Sequence, residues 1–127
     1  MKYLIDTHVL IWLAKDSCEL PERVKALIEN PENDIYISSV SLWEMAIKIN
    51  LGKLDLKLPL DKFLLDIKIG GFSVLQIEDN YLSKILQLPY IHKDPFDRLL
   101  ISTALAEGLT IVTIDENIQK YDVPWVW

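Results

Sequence analysis

The sequence predicts an α/β fold in which a parallel sheet of about five strands is flanked by helices in a three-layer arrangement. Short apolar strands alternate with helix-like segments along the chain, as they do in β-α-β units. Residues 3–5 and 111–114 are almost wholly apolar, which is typical of strands covered by helices on both faces. We find no linker and no repeat, so residues 1–127 are predicted to form a single domain.

The first half of the chain supplies two strands and four helices. Thr7 is suited to cap the first helix, and Pro21 suits the first turn of the second. Ser39 or Ser41 is expected to open the third helix, and Gly52 to end it. The predicted elements are strands at 2–5 and 35–37, helices at 8–15, 21–29, 39–50 and 60–69, a turn at 30–33 and an extended leucine-rich connection at 54–60.

The second half supplies three strands and two longer helices. Asp94 followed by Pro95 is a strong helix start, because Asp caps the helix and Pro fits its first position. Gly108 is expected just beyond the end of that helix. The predicted elements are strands at 73–77, 110–114 and 124–127, helices at 79–86 and 94–107, a loop at 89–93 and a helical turn at 116–120.

Composition and charge exclude several classes of protein. With 50% apolar and 25% charged residues, the chain has an ordinary globular composition. We find neither an apolar run of the ~18 residues that would span a membrane nor a signal peptide, and Cys18 is the single cysteine. We therefore expect a cytoplasmic protein without disulfides. Its 13 basic and 19 acidic residues give a net charge of −6, which is unfavourable for holding nucleic acid by bulk charge alone.

Four acidic residues are predicted at one edge of the sheet. Ligands of parallel α/β sheets bind at the carboxyl ends of the strands, where the following helices begin. Asp6 and Asp115 directly follow predicted strands. Glu44 lies in the first turns of the third helix, and Asp97 lies in the first turn of the helix that leads back to the strand at 110–114. The topology thus brings four carboxylates together.

Each acid also has a purely structural explanation. Asp6 and Asp115 are suitable turn or N-cap residues, and Asp97 occupies a position where acids are common in helices. Glu44 completes a capping box with Ser41, or forms an i,i+4 pair with Lys48. A capping acid normally faces solvent, however, and two of these acids are expected to point inward.

The inward orientation is expected from the apolar stripes of the two helices. Glu44 lies on the stripe formed by Val40, Trp43, Ile47 and Leu51, in which we expect Trp43 to be a core residue. Asp97 continues the stripe of the later helix, which is formed by Leu100, Ile101, Ala104 and Leu105. A half-buried carboxylate without a partner is unfavourable.

A divalent cation would resolve the repulsion among these acids. Two carboxylates ~4 Å apart repel by ~1 kcal/mol in water and by ~4 kcal/mol at an effective dielectric constant of 20. Ligation by oxygen alone suits Mg²⁺ or Mn²⁺. Such a metal activates water for the hydrolysis of phosphodiesters, so no protein nucleophile is required.

Four stretches containing these acids are similar to a known family. They are Leu4-Ile5-Asp6-Thr7-His8, residues 41–46 (Ser-Leu-Trp-Glu-Met-Ala), residues 92–101 (His-Lys-Asp-Pro-Phe-Asp-Arg-Leu-Leu-Ile) and Val112-Thr113-Ile114-Asp115. In this order and spacing they resemble the PIN-domain family, specifically the VapC-type ribonuclease toxins of bacterial toxin–antitoxin pairs.

The resemblance implies a fold, an activity and partners. It implies a PIN-like fold in which Asp6, Glu44, Asp97 and Asp115 are the catalytic residues and hold Mg²⁺ or Mn²⁺. Thr113, and Ser38 or Ser39, would support this site. The activity would be metal-dependent endonucleolytic cleavage of RNA. The protein would form a homodimer and be inhibited by a cognate antitoxin.

Several neighbours of the acids have open roles. His8 stands where relatives commonly have Asn, and we favour a solvent-facing side chain over a contact with substrate. Asp94 is a fifth acid, which we interpret as the cap before Pro95. Lys48, Arg98, His92 and Lys93 flank the acids and are candidates for holding phosphates, with a solvated face as the alternative.

The leucine-rich connection also has two explanations. Leu54, Leu56, Leu58 and Leu60 alternate with other residues, so they share one side of an extended segment. They either close the local core or, together with the apolar helix around residues 63–67, form an interface for an antitoxin or second subunit.

Other functions compete with the toxin hypothesis. One is a PIN nuclease that acts in RNA processing or on structured DNA. A different class is a non-catalytic or receiver-like binding module. A phospho-acceptor receiver needs an acidic pair after the first strand and a Lys after a late one, whereas here Asp6 stands alone and Asp115 occupies the late position.

Overall fold

The computed structural model describes residues 1–127 and contains a five-stranded parallel sheet flanked by seven helices, which confirms the predicted fold class. None of the helices combines the length and apolar character needed to cross a membrane. The elements are β1 (Lys2–Ile5), α1 (Thr7–Ala14), α2 (Glu22–Glu29), β2 (Asp34–Ser38), α3 (Ser39–Asn50), α4 (Leu60–Ile69), β3 (Ser73–Leu75), α5 (Asp79–Ile85), α6 (Pro95–Glu107), β4 (Thr110–Val112), α7 (Glu116–Gln119) and β5 (Trp125–Val126).

Strand β1 is the centre of the sheet, whose order is β3-β2-β1-β4-β5. It pairs in parallel with β2 and with β4. Alternate residues of a strand point to opposite faces, so Leu4 packs into one apolar cluster and Ile5 into another. Leu4 packs on the side of α6, together with Leu100, whereas Ile5 packs on the side of α1 and α3. Two cores therefore fix the central strands and the helices that begin at their carboxyl ends.

Two strands end earlier than predicted. β3 ends at Leu75 and β4 ends at Val112, whereas both were expected to continue for two more residues. Val112 is paired with Ile5, the last residue of β1, and beyond that point the chain of β1 turns into α1. Asp115 consequently lies in the connection to α7 and does not directly follow the strand.

The predicted cap of α1 is wrong, whereas α3 begins at Ser39, one of the two residues expected to open it. Asp6 occupies the N-cap position of α1, and Thr7 is already its first helical residue. Ser38 caps α3, because its Oγ accepts a hydrogen bond of 3.1 Å from the backbone N–H of Val40. The Thr7 hydroxyl instead donates to Ser41 Oγ at 2.9 Å, and this buried contact ties α1 to α3. Tertiary packing thus uses two hydroxyls that local sequence rules assign to capping.

The predicted apolar stripe of α3 is also wrong. The buried residues of this helix are Val40, Ser41 and Met45. Trp43, which was expected in the core, is 59% exposed, and Leu51 is exposed as well. The Trp43 ring packs edge-on against Phe96 of α6, with the ring centroids 5.2 Å apart. This contact brings the first turns of α3 and α6 together at the carboxyl edge of the sheet.

The leucine-rich connection closes the core. Leu56 is only 5% exposed and belongs to the apolar cluster on the α1 side of the sheet. Leu54, Leu58 and Leu60 are half-buried against the same cluster. The core explanation is therefore supported, and the hypothesis that Leu56 belongs to an exposed interface is wrong.

Candidate functional site at the carboxyl edge of the sheet

Asp6, Thr113 and Asp115 form one hydrogen-bonded unit between β1 and β4. The Thr113 hydroxyl is fully buried and donates to Asp6 Oδ2 at 2.8 Å. The same Oγ1 accepts the backbone N–H of Asp115 at 2.9 Å. Asp115 Oδ1 in turn caps α7 by accepting the backbone N–H groups of Asn117 and Ile118. One hydroxyl thus holds the carboxylate of Asp6 and the backbone of Asp115, whose own carboxylate is held by the first turn of α7.

The environment of Asp6 disfavours the charged form of its carboxyl group. The residue is only 2% exposed, and burial raises the pKa of its carboxyl above the ordinary value. The negative charge of Asp115 raises this pKa further, while the Thr113 hydrogen bond and the positive form of His8 oppose the shift. His8 itself is exposed, as expected, and its ring lies 6.2 Å from that of Trp12.

Asp97 belongs to the same electrostatic group although it comes from a different helix. Asp94 caps α6 with its Oδ1, as predicted, and this fixes the first turn in which Asp97 lies. Burial raises the pKa of Asp97 to about 7, with the negative charges of Asp94, Asp6 and Asp115 acting in the same direction. A hydrogen bond from His92 opposes the shift. The carboxylates of Asp6, Asp97 and Asp115 are therefore close enough to influence one another.

Glu44 has a different environment at this edge. Its carboxylate lies 3.2 Å from the Lys48 ammonium, one turn along α3, and this is the structural alternative considered for Glu44. Asp6, Asp97 and Asp115 have no Lys or Arg within 4.0 Å. The structure therefore brings three of the four predicted acids together electrostatically and compensates the fourth with a cation.

Arg98 does not occupy the position expected of a phosphate contact. It is 8% exposed, and its Nη1 donates to the carbonyl of Pro89 at 2.9 Å and to the Tyr121 hydroxyl at 3.0 Å. Its guanidinium also lies 4.6 Å from the centroid of the Tyr90 ring. The expectation that Arg98 holds a phosphate is therefore wrong, because these contacts bind the guanidinium to the loop before α6 and bury it.

The two serines also differ from each other. Ser38 is buried and its hydroxyl caps α3, whereas Ser39 is the half-buried first residue of that helix.

Tyr121 was missed by the sequence analysis, although its hydroxyl contacts both His92 and Arg98. No sequence signal links Tyr121 to the site, since it lies 24 positions after Asp97 in a segment without a motif.

The acids suit a hard divalent cation by donor chemistry. All four offer carboxylate oxygens, and Asp6, Asp97 and Asp115 stand together with no Lys or Arg within 4.0 Å. No three His, Cys, Asp or Glu side chains are already arranged to hold a metal ion. The fit therefore depends on donor type and charge, and ligand side chains would have to adjust when an ion binds.

Comparison with known proteins agrees with the fold and the family resemblance. A family model described as the PIN domain matches residues 3–124. The chain is 24% identical over 122 residues to ribonuclease VapC22 of Mycobacterium tuberculosis, an alignment that covers 95% of this chain and 92% of that protein.

Solved structures show the same architecture. VapBC2 from Rickettsia felis, bound to a DNA fragment from their promoter, matches with a TM-score of 0.76 at 19% identity, covering 99% of this chain and 98% of that one. VapBC-1 from nontypeable Haemophilus influenzae matches with a TM-score of 0.68 at 17% identity, covering 99% and 97%. Because the family model matches residues 3–124, nearly the whole chain, this protein belongs to the PIN-domain family.

Proposed function

We propose that this protein is a metal-dependent endoribonuclease that acts as the toxin of a toxin–antitoxin pair. The observation that carries the proposal is the group of Asp6, Asp97 and Asp115. The charge of Asp115 raises the pKa of Asp6, the charges of Asp6 and Asp115 raise that of Asp97, and no Lys or Arg lies within 4.0 Å of the three carboxylates. A buried negative site of this kind is unfavourable on its own and favourable for binding a cation. The name of the relative VapC22 supports RNA as the substrate.

The proposed cofactor is Mg²⁺ or Mn²⁺, held by Asp6, Asp97 and Asp115 together with Glu44. When bound, the ion lowers the pKa of a coordinated water and neutralises charge on the phosphate. Glu44 joins this set when its carboxylate leaves Lys48, which then remains at the same edge as a cation for the phosphate backbone.

The other residues of the site orient the carboxylates. Thr113 holds Asp6 by one oxygen, so that its second oxygen can serve as a ligand. Asp115 uses Oδ1 to cap α7, which directs Oδ2 away from the helix. Both contacts restrict rotation before a ligand arrives, and this reduces the entropy lost on binding.

Cleavage of RNA by the purified protein tests the proposal directly. We expect single-stranded RNA to be cut in the presence of Mg²⁺ or Mn²⁺, and cutting to stop with EDTA or in an Asp97→Asn variant. Structured DNA of the same sequence serves as a parallel substrate. Cleavage that persists in EDTA would refute the metal-dependent mechanism, and cleavage of DNA alone would refute the ribonuclease assignment.

The proposed partners are a cognate antitoxin and a second copy of this chain, and the proposed location is the cytoplasm. Several structural neighbours are solved as VapBC pairs, and another is a toxin–antitoxin complex from Klebsiella pneumoniae. Carboxylates without a Lys or Arg partner favour an inhibitor that places an Arg or Lys at the acidic edge, where it would compete with the metal. Co-purification with the product of the adjacent gene, and light scattering of the free protein, test the two partners separately.

A further inference from the structure

The imidazole of His92 lies between Asp97 and Tyr121. Its Nε2 is 3.1 Å from Asp97 Oδ2, and its Nδ1 is 2.9 Å from the Tyr121 hydroxyl. The side chains of His92 and Asp97 are both largely buried, so these contacts are shielded from water. The ring thus connects an acid of the proposed active site to a residue in the segment that follows α7.

The contacts of Tyr121 determine which ring nitrogen carries the proton. The phenolic oxygen accepts hydrogen bonds from Arg98 Nη1 at 3.0 Å and from the backbone N–H of His92 at 3.3 Å. Both of these groups are donors only, so they occupy the acceptor capacity of the oxygen. The hydroxyl proton of Tyr121 must therefore point to His92 Nδ1, which acts as an acceptor and carries no proton.

The second ring nitrogen then has a single role. A neutral imidazole with an unprotonated Nδ1 carries its proton on Nε2. That N–H points to Asp97 Oδ2, while Asp97 Oδ1 accepts no hydrogen bond from the protein. One oxygen of Asp97 is held and the other is left free.

We propose that His92 is a positioning residue that holds Asp97 through one fixed N–H donor, and that Tyr121 and Arg98 set its tautomer. This inference rests on the proposed function, in which Asp97 is a metal ligand. A histidine that fixes the orientation of a ligand in this way has the same effect as the outer partners of known metal ligands. Arg98 acts on His92 indirectly, through Tyr121. Its hydrogen bonds to the carbonyls of Pro89 and Ile85 hold the guanidinium in place against the Tyr121 hydroxyl.

The tautomer can be measured in the metal-free protein without any assay of activity. Nitrogen NMR of the imidazole at about pH 8, where an ordinary histidine is neutral, should show a protonated Nε2 and an unprotonated Nδ1 for His92. Tyr121→Phe removes the donor to Nδ1, so it should shift the Nδ1 resonance towards that of an acceptor without a hydrogen bond and raise the share of the Nδ1-protonated tautomer. A protonated Nδ1 in the wild type, or the same spectrum in Tyr121→Phe, would overturn the proposal.

The effect on Asp97 can be measured through metal affinity and rescue. His92→Leu should raise the Mg²⁺ concentration for half-maximal binding, measured by calorimetry, and for half-maximal cleavage by roughly 10- to 100-fold. His92→Gln should restore most of the affinity, because its amide nitrogen is as far from the backbone as Nε2 and also donates. Equal Mg²⁺ affinity in His92→Leu and the wild type, or no rescue by His92→Gln, would overturn the proposal.

Tyr81→Phe is a matched control for the removal of a buried tyrosine hydroxyl. Tyr81 is buried and donates to Glu107 Oε1 at 2.7 Å, at the far end of α6 from Asp97. We expect this variant to lose stability without a change in Mg²⁺ affinity, whereas Tyr121→Phe should weaken Mg²⁺ binding. If the wild type binds Mg²⁺ and shows the expected tautomer but cuts no RNA, the proposed function fails and the role of His92 stands.

Discussion

The two sides of the acidic edge differ in whether a carboxylate has a Lys or Arg partner. On the side built by β1, β4 and α6, the carboxylates of Asp6, Asp97 and Asp115 stand close together with no Lys or Arg within 4.0 Å, and the imidazole of His92 contacts Asp97. On the side built by α3, Glu44 forms an ion pair with Lys48 in the next helical turn. Both sides meet where Trp43 packs against Phe96.

This difference separates a structural acid from an acid that needs a ligand. An i,i+4 ion pair on a helix is a local interaction of about 0.3–0.5 kcal/mol that needs no further partner. Buried like charges without a cation instead lower the stability of the free protein. We therefore expect substitutions on the two sides to have similar effects on cleavage and opposite effects on the stability of the free protein.

The largest expected effect is the loss of cleavage in Asp6→Asn. The amide keeps the shape of the side chain and its contact with Thr113 but removes a metal-binding charge. We expect the cleavage rate to fall roughly 10²- to 10³-fold, the usual effect of losing one group that stabilises a transition state. Initial rates at saturating Mg²⁺ measure it, and circular dichroism checks that the variant is folded. An active Asp6→Asn variant would remove this side from the mechanism.

The next effect is the stabilisation of the folded protein by Mg²⁺. An ion that binds only the native state adds about 2.7 kcal/mol at a hundredfold excess over Kd. Asp97→Asn should abolish this gain, because it removes a ligand from the uncompensated side. Lys48→Met should keep or increase it, because Glu44 is then released from its ion pair. Equal melting shifts in the wild type and Asp97→Asn would place the metal elsewhere.

A smaller effect is the pH dependence of stability in EDTA. The pKa of Asp97 is about 7 in the folded protein and 3.8 in the reference state, so the native state binds more protons between these values. The contribution of Asp97 therefore lowers the free energy of unfolding as pH rises from about 4 to about 7, and is constant above. Asp97→Asn should lose this contribution. At pH 8 its free energy of unfolding should exceed that of the wild type by about 1–2 kcal/mol. This is less than the full pKa shift implies, because the carboxyl is partly exposed to solvent.

Chemical denaturation at several pH values measures that difference. Glu44→Gln is the control on the other side of the acidic edge, and it should keep the pH dependence of the wild type. If the stability difference between Asp97→Asn and the wild type is the same at pH 5 and pH 8, the raised pKa of Asp97 is wrong.

The smallest effect is the stability change in Glu44→Gln at neutral pH. Losing the pair with Lys48 should destabilise the free protein by about 0.3–0.5 kcal/mol, opposite in sign to Asp97→Asn. The effect should become smaller at high salt, since the Lys48 side chain is 30% exposed. A stabilised Glu44→Gln variant would show that Glu44 belongs with the uncompensated carboxylates.

Much of the fold could be predicted because its signals are local. Asp94 and Pro95 start α6 and Gly108 ends it, and each acts within one helical turn. The apolar strands around Leu4 and Ile111 are recognisable because both of their faces are covered. Strand ends were less predictable, since β4 stops where its partner β1 turns away and not where its apolar residues end.

The candidate site was predicted as four equivalent acids, and the structure divides them. Topology alone places residues that follow parallel strands, and the first turns of helices that lead back to a strand, at one edge, so Asp6 and Asp97 were predicted there without coordinates. Whether a carboxylate pairs with a Lys or Arg depends on side-chain distances. Glu44 has such a pair with Lys48, and the other three acids do not. The same limit applies to Trp43 and Leu56, whose burial depends on which neighbouring helix or loop covers them.

The sequence by itself determined the order of elements, the parallel sheet and the edge at which the acids gather, because periodicity, capping and strand polarity act over short distances. Only the tertiary structure decided the contact of His92 with Tyr121, the burial of Arg98 and the pairing of Thr113 with Asp6. The physical reason is that each hydrogen bond joins residues distant in sequence, such as Asp6 and Thr113, and forms only after the two apolar cores have fixed the strands and helices that carry them.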